Sequence, residues 1–146
     1  MALLRLLQES YYDIIEEADD HLHRAHLRHY CNSPEQKNSL RIKVFLDLII
    51  GSVTNKNIKA LIEYTEHTAV ERYETGFDLC EVQRAINGLE KAIWKKIASQ
   101  MQAKDHADAL GVISTILGEV KDTLACRYLY CVRQAFSQNK ALTYTV

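Results

Sequence analysis

The chain has 146 residues, with 18 basic and 19 acidic side chains and a formal charge of −1. That is room for one domain, able to bury about two thirds of its unfolded surface without metal or disulfide help. Balanced charge without a like-charge block argues against a nucleic-acid partner. No stretch approaches the ~20 apolar residues of a membrane span, and the apolar run after Met1 is too short for a secretory signal.

Five Gly and one Pro, in a chain rich in good helix formers, predict an all-α domain. Cys31, Cys80, Cys126 and Cys131 form no CxxC pair, and a chain of this size does not need stapling, so reduced thiols and a cytoplasmic location are expected.

From Leu3 to about Tyr30, apolar residues at Leu4, Leu7, Tyr11, Ile14, Ile15, Ala18, Leu22 and Ala25 fall on one side of a helix at 100° per residue. One long amphipathic first helix is expected. Ser33, Pro34 and Gln36 then read as N-cap, N1 and N3 of a second capping-box helix. It carries Leu40, Val44, Leu48 and Ile49, widened by Phe45, Leu46 and Ile50, and Gly51-Ser52 is expected to stop it.

Thr54 or Asn55 can cap a third helix, in which Ile58, Leu61, Ile62, Thr65, Ala69 and Tyr73 share a face. Its end at Thr75 is the best-marked point in the chain. Gly76 accepts positive φ and closes the last carbonyls, Phe77 takes N′, Asp78 the N-cap and Glu81 N3, while Phe77 can staple onto Val82.

The fourth helix, Leu79 to about Met101, places Leu79, Val82, Ile86, Leu89 and Ile93 at alternating steps of three and four, a heptad seam suited to a shallow helix crossing. A fifth starts at Asp105 and runs to about Phe136, with Leu110, Ile113, Leu117, Val120 and Leu124 as its seam. Its stripe of small side chains, Ala107, Gly111, Ser114, Thr115, Gly118 and Ala125, suggests close packing against a neighbour, either within the subunit or across a subunit interface. Each interior glycine costs about 1 kcal/mol relative to Ala. Residues 1–136 thus form one five-helix domain with two long helices, and 137–146 a short polar tail.

The segment Glu71-Arg72-Tyr73-Glu74-Thr75-Gly76-Phe77-Asp78-Leu79-Cys80-Glu81-Val82, followed by Leu89-Glu90-Lys91-Ala92-Ile93-Trp94, resembles the N-terminal domain of RsbRD-type co-antagonists of RsbT. An Arg-bearing helix, a Gly-Phe turn, an acidic capping box and a Leu/Trp-bearing helix follow in that family's order. The closing helix, Asp108 to Tyr130, is similar too, and the likeness spans about Ile14 to Tyr130. Arg72, Gly76, Phe77, Asp78, Glu81 and Trp94 carry it. The resemblance implies a bacterial signal-transduction input domain of the stressosome kind: globin-like without haem, homodimeric, and placed before an output module. The residues after Tyr130 are too few for such a module, so the expected alternatives are an excised input module or one that acts alone on another protein.

Histidines offer the chemical alternative, a haem- or metal-binding sensor. Asp19, His23 and His26 stand at i, i+4, i+7 on one flank, a spacing that can present metal ligands, although solvated side chains explain it as well. His29 lies on the apolar face, where an axial haem ligand or a hydrogen-bonded buried histidine could sit. Cys80 at N2 could be a redox thiol, but Glu81 beside it opposes thiolate formation. No nucleophile with a base, Gly-rich phosphate loop or HExxH is present, so no enzyme and no resident cofactor are expected. The subunit interface is expected at Leu79, Val82, Ile86, Leu89 and Ile93 or along Gly111 and Gly118. A third class is a stand-alone structural adaptor.

Overall fold

A computed structural model describes the backbone of residues 1–144 and the side chains of residues 1–139. The described residues form seven α-helices: α1 (Ala2–Glu9), α2 (Tyr11–Arg24), α3 (Arg28–Asn32), α4 (Glu35–Asn55), α5 (Lys59–Glu74), α6 (Leu79–Gln100) and α7 (His106–Tyr144), with a 3-10 turn at Ala103–Asp105 before the last. No strand occurs among the described residues, and none of the helices is long and apolar enough to cross a membrane. The all-α expectation holds; the count of five helices does not.

The extra helices come from breaks in the expected first helix. At Ser10 the backbone shifts to φ −99°, ψ 14°, and Ser10 Oγ donates to Gln100 Oε1 at 2.9 Å, which pins the junction to the end of α6. At His26 the chain turns to φ +50°, and α3 follows as a separate short helix. Hydrophobic spacing passes through both points unchanged, because a break that keeps the same side inward leaves the pattern intact.

Further boundaries differ from expectation. Pro34, not Ser33, caps α4, and Ser33 Oγ instead donates to the His29 carbonyl at 2.8 Å. Gly51 and Ser52 lie inside α4, which ends at Lys56 in the left-handed region with φ +50°. Asn57, rather than Thr54 or Asn55, serves the start of α5, its Oδ1 accepting from Lys59 N at 2.9 Å. Helix α7 continues through 137–144, where a tail was expected; the last two residues of that tail lie outside the described ones.

Helix α6 packs on α2 and α7, α5 lies along α7, and α4 bridges α2 and α5. Ile14, Leu46, Ile49, Leu61, Ile93, Ile97, Ile113 and Leu117 are almost completely buried in the shared core. The α2–α6 approach is close: a Cβ at Gly88 would meet His21 Cδ2 at 2.2 Å. Salt bridges Lys95–Glu17 and Lys96–Asp13, both at 3.1 Å, rim the same contact.

The heptad seam of α6 is spent within the subunit. Val82, Ile86, Leu89 and Ile93 are buried in the single chain and Leu79 is half-buried, so this seam is core and not a free interface. In α7 the buried side runs through Ala109, Ile113, Leu117, Val120 and Leu124, whereas Leu110 is 40% exposed and Leu40 of α4 60%, both expected inside.

Gly111 and Gly118 lie on the opposite side of α7. Gly111 is exposed, as are Ala107, Ser114 and Thr115, while Gly118 is half-buried, and a Cβ at either glycine would meet nothing within 4 Å among the described residues. Packing inside the subunit therefore does not explain the small-residue stripe. Gly111→Ala and Gly118→Ala are each expected to raise monomer stability by about 1 kcal/mol, read by urea denaturation at low micromolar concentration. A loss of stability in both would mean that this face is covered in solution.

Candidate functional site

The α5–α6 corner forms as its sequence dictates. Gly76 has φ +85°, Phe77 N donates to Arg72 O at 2.9 Å and Gly76 N to Tyr73 O at 3.2 Å, the paired bonds of a Schellman ending. Asp78 and Glu81 make the reciprocal capping box, and Phe77 and Val82 are both buried. Tyr128 Oη of α7 donates to the Phe77 carbonyl at 2.5 Å, so the corner is also held by the last helix.

Glu81 does more than cap. Its Oε1 accepts from His29 N at 2.9 Å, its Oε2 from Asp78 N at 3.1 Å, and the same oxygen lies 2.6 Å from His29 Nδ1. One carboxylate thus satisfies the starts of two helices, α3 and α6. Desolvation pushes the Glu81 carboxyl up, but the N–H groups of His29 and Asp78 outweigh it, and the net shift is below the ordinary carboxylate value.

Inward of the corner lies a cavity of about 60 Å³, lined by residues of α2, α3, α4, α5, α6 and α7. That is space for roughly four to six water molecules. Its wall is mostly apolar, with Ile42, Phe45, Ala85, Ile86 and Leu89 among it, and is broken by Tyr30, Asn38, Arg41, Tyr64 and Arg72. Phe45, Tyr64 and Thr68 are half-buried, so the cavity reaches the surface between α4 and α5.

Two guanidinium groups face this space. Arg72 is only 7% exposed, and its Nε is buried without a hydrogen-bond partner among the described residues. Its Nη1 meets Glu71, and its Cζ lies 5.3 Å over the Phe77 ring. Arg41 donates to Asn38 Oδ1 at 3.1 Å and Ser33 Oγ at 3.3 Å, approaches Glu71 at 3.9 Å, and stacks on Phe77 at 5.3 Å and Tyr30 at 5.8 Å. Burial first, and then the like charge of Arg72, lowers the Arg41 pKa; burial raises that of Tyr30 against the opposing pull of Arg72 and Arg41. Asn38, 2% exposed, ties the group to α3 through a 2.7 Å bond from its Nδ2 to Tyr30 O.

Of the residues singled out by sequence, Arg72, Gly76, Phe77, Asp78 and Glu81 come together at this corner. Trp94 stands 43% exposed further along α6. His29 is at the corner as well, but it spends its ring on Glu81 and does not line the cavity. The residues present do not fit haem: the cavity is too small for a porphyrin and its wall offers no histidine.

Asp19 and His23 do approach each other, joined by Glu35 rather than His26, with the three ligating atoms within 4.8 Å of one another. His26 drops out because α2 ends at Arg24 and the left-handed turn carries it away, exposed. All four cysteines are free.

Sequence reasoning missed Asn38 and Arg41 and took Arg72 only as a motif residue. A signal was present: Arg72 continues the buried register of Leu61, Thr65 and Ala69, and Asn38 that of Leu46, Ile49 and Val53. Polar residues in an apolar register mark either a specific polar network or a site. No protein-family model matches the chain, and neither the curated proteins nor the solved structures hold a match to it.

Proposed function

We propose that this chain is a non-enzymatic, globin-like signal-transduction input domain of the RsbRD N-terminal kind, working in the cytoplasm as a homodimer. The observation that carries this reading is the outer face of α7. This helix has 39 residues, about 58 Å at 1.5 Å per residue. Among its described side chains, only those of the first half, to Leu124, are buried in the core.

At 100° per residue, the outer stripe of Ala107, Gly111 and Ser114, all exposed, and the half-buried Gly118 continues into Leu129, Val132 and Phe136, which are 46, 41 and 68% exposed. Small residues permit close backbone approach and large apolar ones supply burial. A second copy of the same face satisfies both. A ligand or partner that shifts α7 at the Tyr128–Phe77 bond would then change the packing of two subunits, a population shift that requires differential affinity for the two arrangements. Light scattering at high micromolar concentration tests this: a dimer is expected, and a strictly monomeric chain ends the dimeric reading.

A second reading, metal sensing, is favoured by one observation. Asp19 Oδ1 is buried beside His23 and Glu35 without a hydrogen-bond partner among the described residues, and burial holds the Asp19 pKa up. A bound divalent cation would relieve both conditions, and two carboxylates with an imidazole suit zinc. Equilibrium dialysis should then retain one zinc per chain, lost in His23→Ala. Dialysis to zero zinc in the parent chain removes this reading.

A further inference from the structure

We infer that the cavity between α4, α5 and α6 binds a small organic monoanion, a carboxylate on a compact apolar body, with Arg41 and Arg72 as the recognition groups.

Three independent features lead there. The first is an unmet donor: Arg72 is more than nine-tenths buried, lines the cavity, and has an Nε with no hydrogen-bond partner among the described residues. Buried donors without partners are uncommon in folded chains, and each costs free energy that a ligand oxygen would recover. A guanidinium presents its donors as a planar fork, which matches the two oxygens of a carboxylate.

The second is charge. Arg41 and Arg72 face one space, and Glu71, which is not part of the cavity wall, is the carboxylate that both approach. Two cations sharing one anion leave a net positive charge beside an apolar cavity, where the low dielectric strengthens its pull on an anion. The depressed Arg41 pKa has burial and then Arg72 as its causes, which agrees with an uncompensated pair.

The third is shape. Beyond the guanidiniums the wall is aliphatic and aromatic, with Ile42, Phe45, Ile86 and Leu89. This is the arrangement expected of a small-molecule site, in which a few convergent polar groups orient an otherwise apolar ligand. An inorganic anion would leave that wall uncovered. Space for roughly four to six waters holds the carboxylate and the nearest carbons of such a ligand, and the rest of its body extends outward between α4 and α5.

The cavity also has a path outward. Arg72 and Arg41 stack on Phe77, whose carbonyl accepts from Tyr128 of α7, so filling the cavity bears on the helix assigned to the dimer face. This regulatory meaning rests on the reading of the chain as an input domain; binding itself does not.

Isothermal titration of the full chain with hexanoate and with benzoate tests the site. Both should bind at least tenfold more tightly than 1-hexanol and hexylamine, which keep the apolar body and lose or invert the charge, and than inorganic phosphate, which keeps only the charge. Arg72→Met and Arg41→Met, each checked for native circular dichroism, should weaken hexanoate at least tenfold, with Arg72→Lys in between. Equal binding of hexanoate and hexanol, or undiminished binding by both folded Met variants, overturns the inference, as does phosphate binding as well as hexanoate. Light scattering on the same samples separates the two claims: binding by a monomer sustains the site and removes the dimer, whereas a dimer without binding does the reverse.

Discussion

Glu81→Ala is expected to destabilise the chain by about 3 kcal/mol, of which about 1 is the lost helix cap and the rest the donors left unpaired. For a domain of this size that is a fall in Tm of about 6–12 °C. The expectation follows from what the carboxylate holds: His29 N, Asp78 N and His29 Nδ1, at the starts of both α3 and α6. Asp78→Ala provides the scale, because it removes one half of one capping box and should cost only about 1 kcal/mol. Calorimetry on both variants decides the matter. If Glu81→Ala costs no more than Asp78→Ala, the carboxylate does not stitch two helices together.

The same group makes a prediction in pH. The folded-state pKa of Glu81 lies below its ordinary value of 4.5. Its contribution is therefore fully present above about pH 4.5 and is lost as pH falls through the lower folded value. The stability of the parent chain should drop through that acid range, and Glu81→Gln, weaker at neutral pH, should show a shallower slope there.

The second large effect is expected at the far end of α7. Leu129→Glu with Phe136→Glu should leave the fold intact, since both side chains are exposed in the single chain. It should nevertheless raise the dimer dissociation constant at least 100-fold, about 2.7 kcal/mol, by removing two apolar anchors and opposing like charges across a two-fold axis. Sedimentation velocity over a concentration series reads this directly. A parent chain that dimerises and a double variant that dimerises equally well would move the interface away from this face.

Much of the fold is written locally. The Schellman glycine at 76, the capping box from Asp78 to Glu81 and the bounds of α6 depend on neighbours within a few residues, so a chemist can place them without a structure. The apolar registers of α2, α5 and most of α7 are legible for the same reason: burial imposes a period that the chain must carry.

The breaks at Ser10 and His26 are decided otherwise. Ser10 is fixed by Gln100, ninety residues away, and His26 adopts positive φ in a segment with no glycine to announce it.

The candidate site divides along the same line. Register alone carries a signal that Arg72 and Asn38 are buried, since they continue the buried positions of α5 and α4, but their residue types argue the other way and the sequence reading passed over it. Only the tertiary structure decides that Arg41 and Arg72, from different helices, meet over one phenylalanine beside an apolar cavity, and that Glu35 rather than His26 joins Asp19 and His23. Likewise the α6 seam reads from sequence as a surface to be buried, while its partner, the rest of this chain and not a second copy, is set by how α2 and α7 pack against it. Periodicity specifies that a face must be covered. It carries no information about what covers it, because hydrophobic burial is non-directional and depends only on the area removed from water.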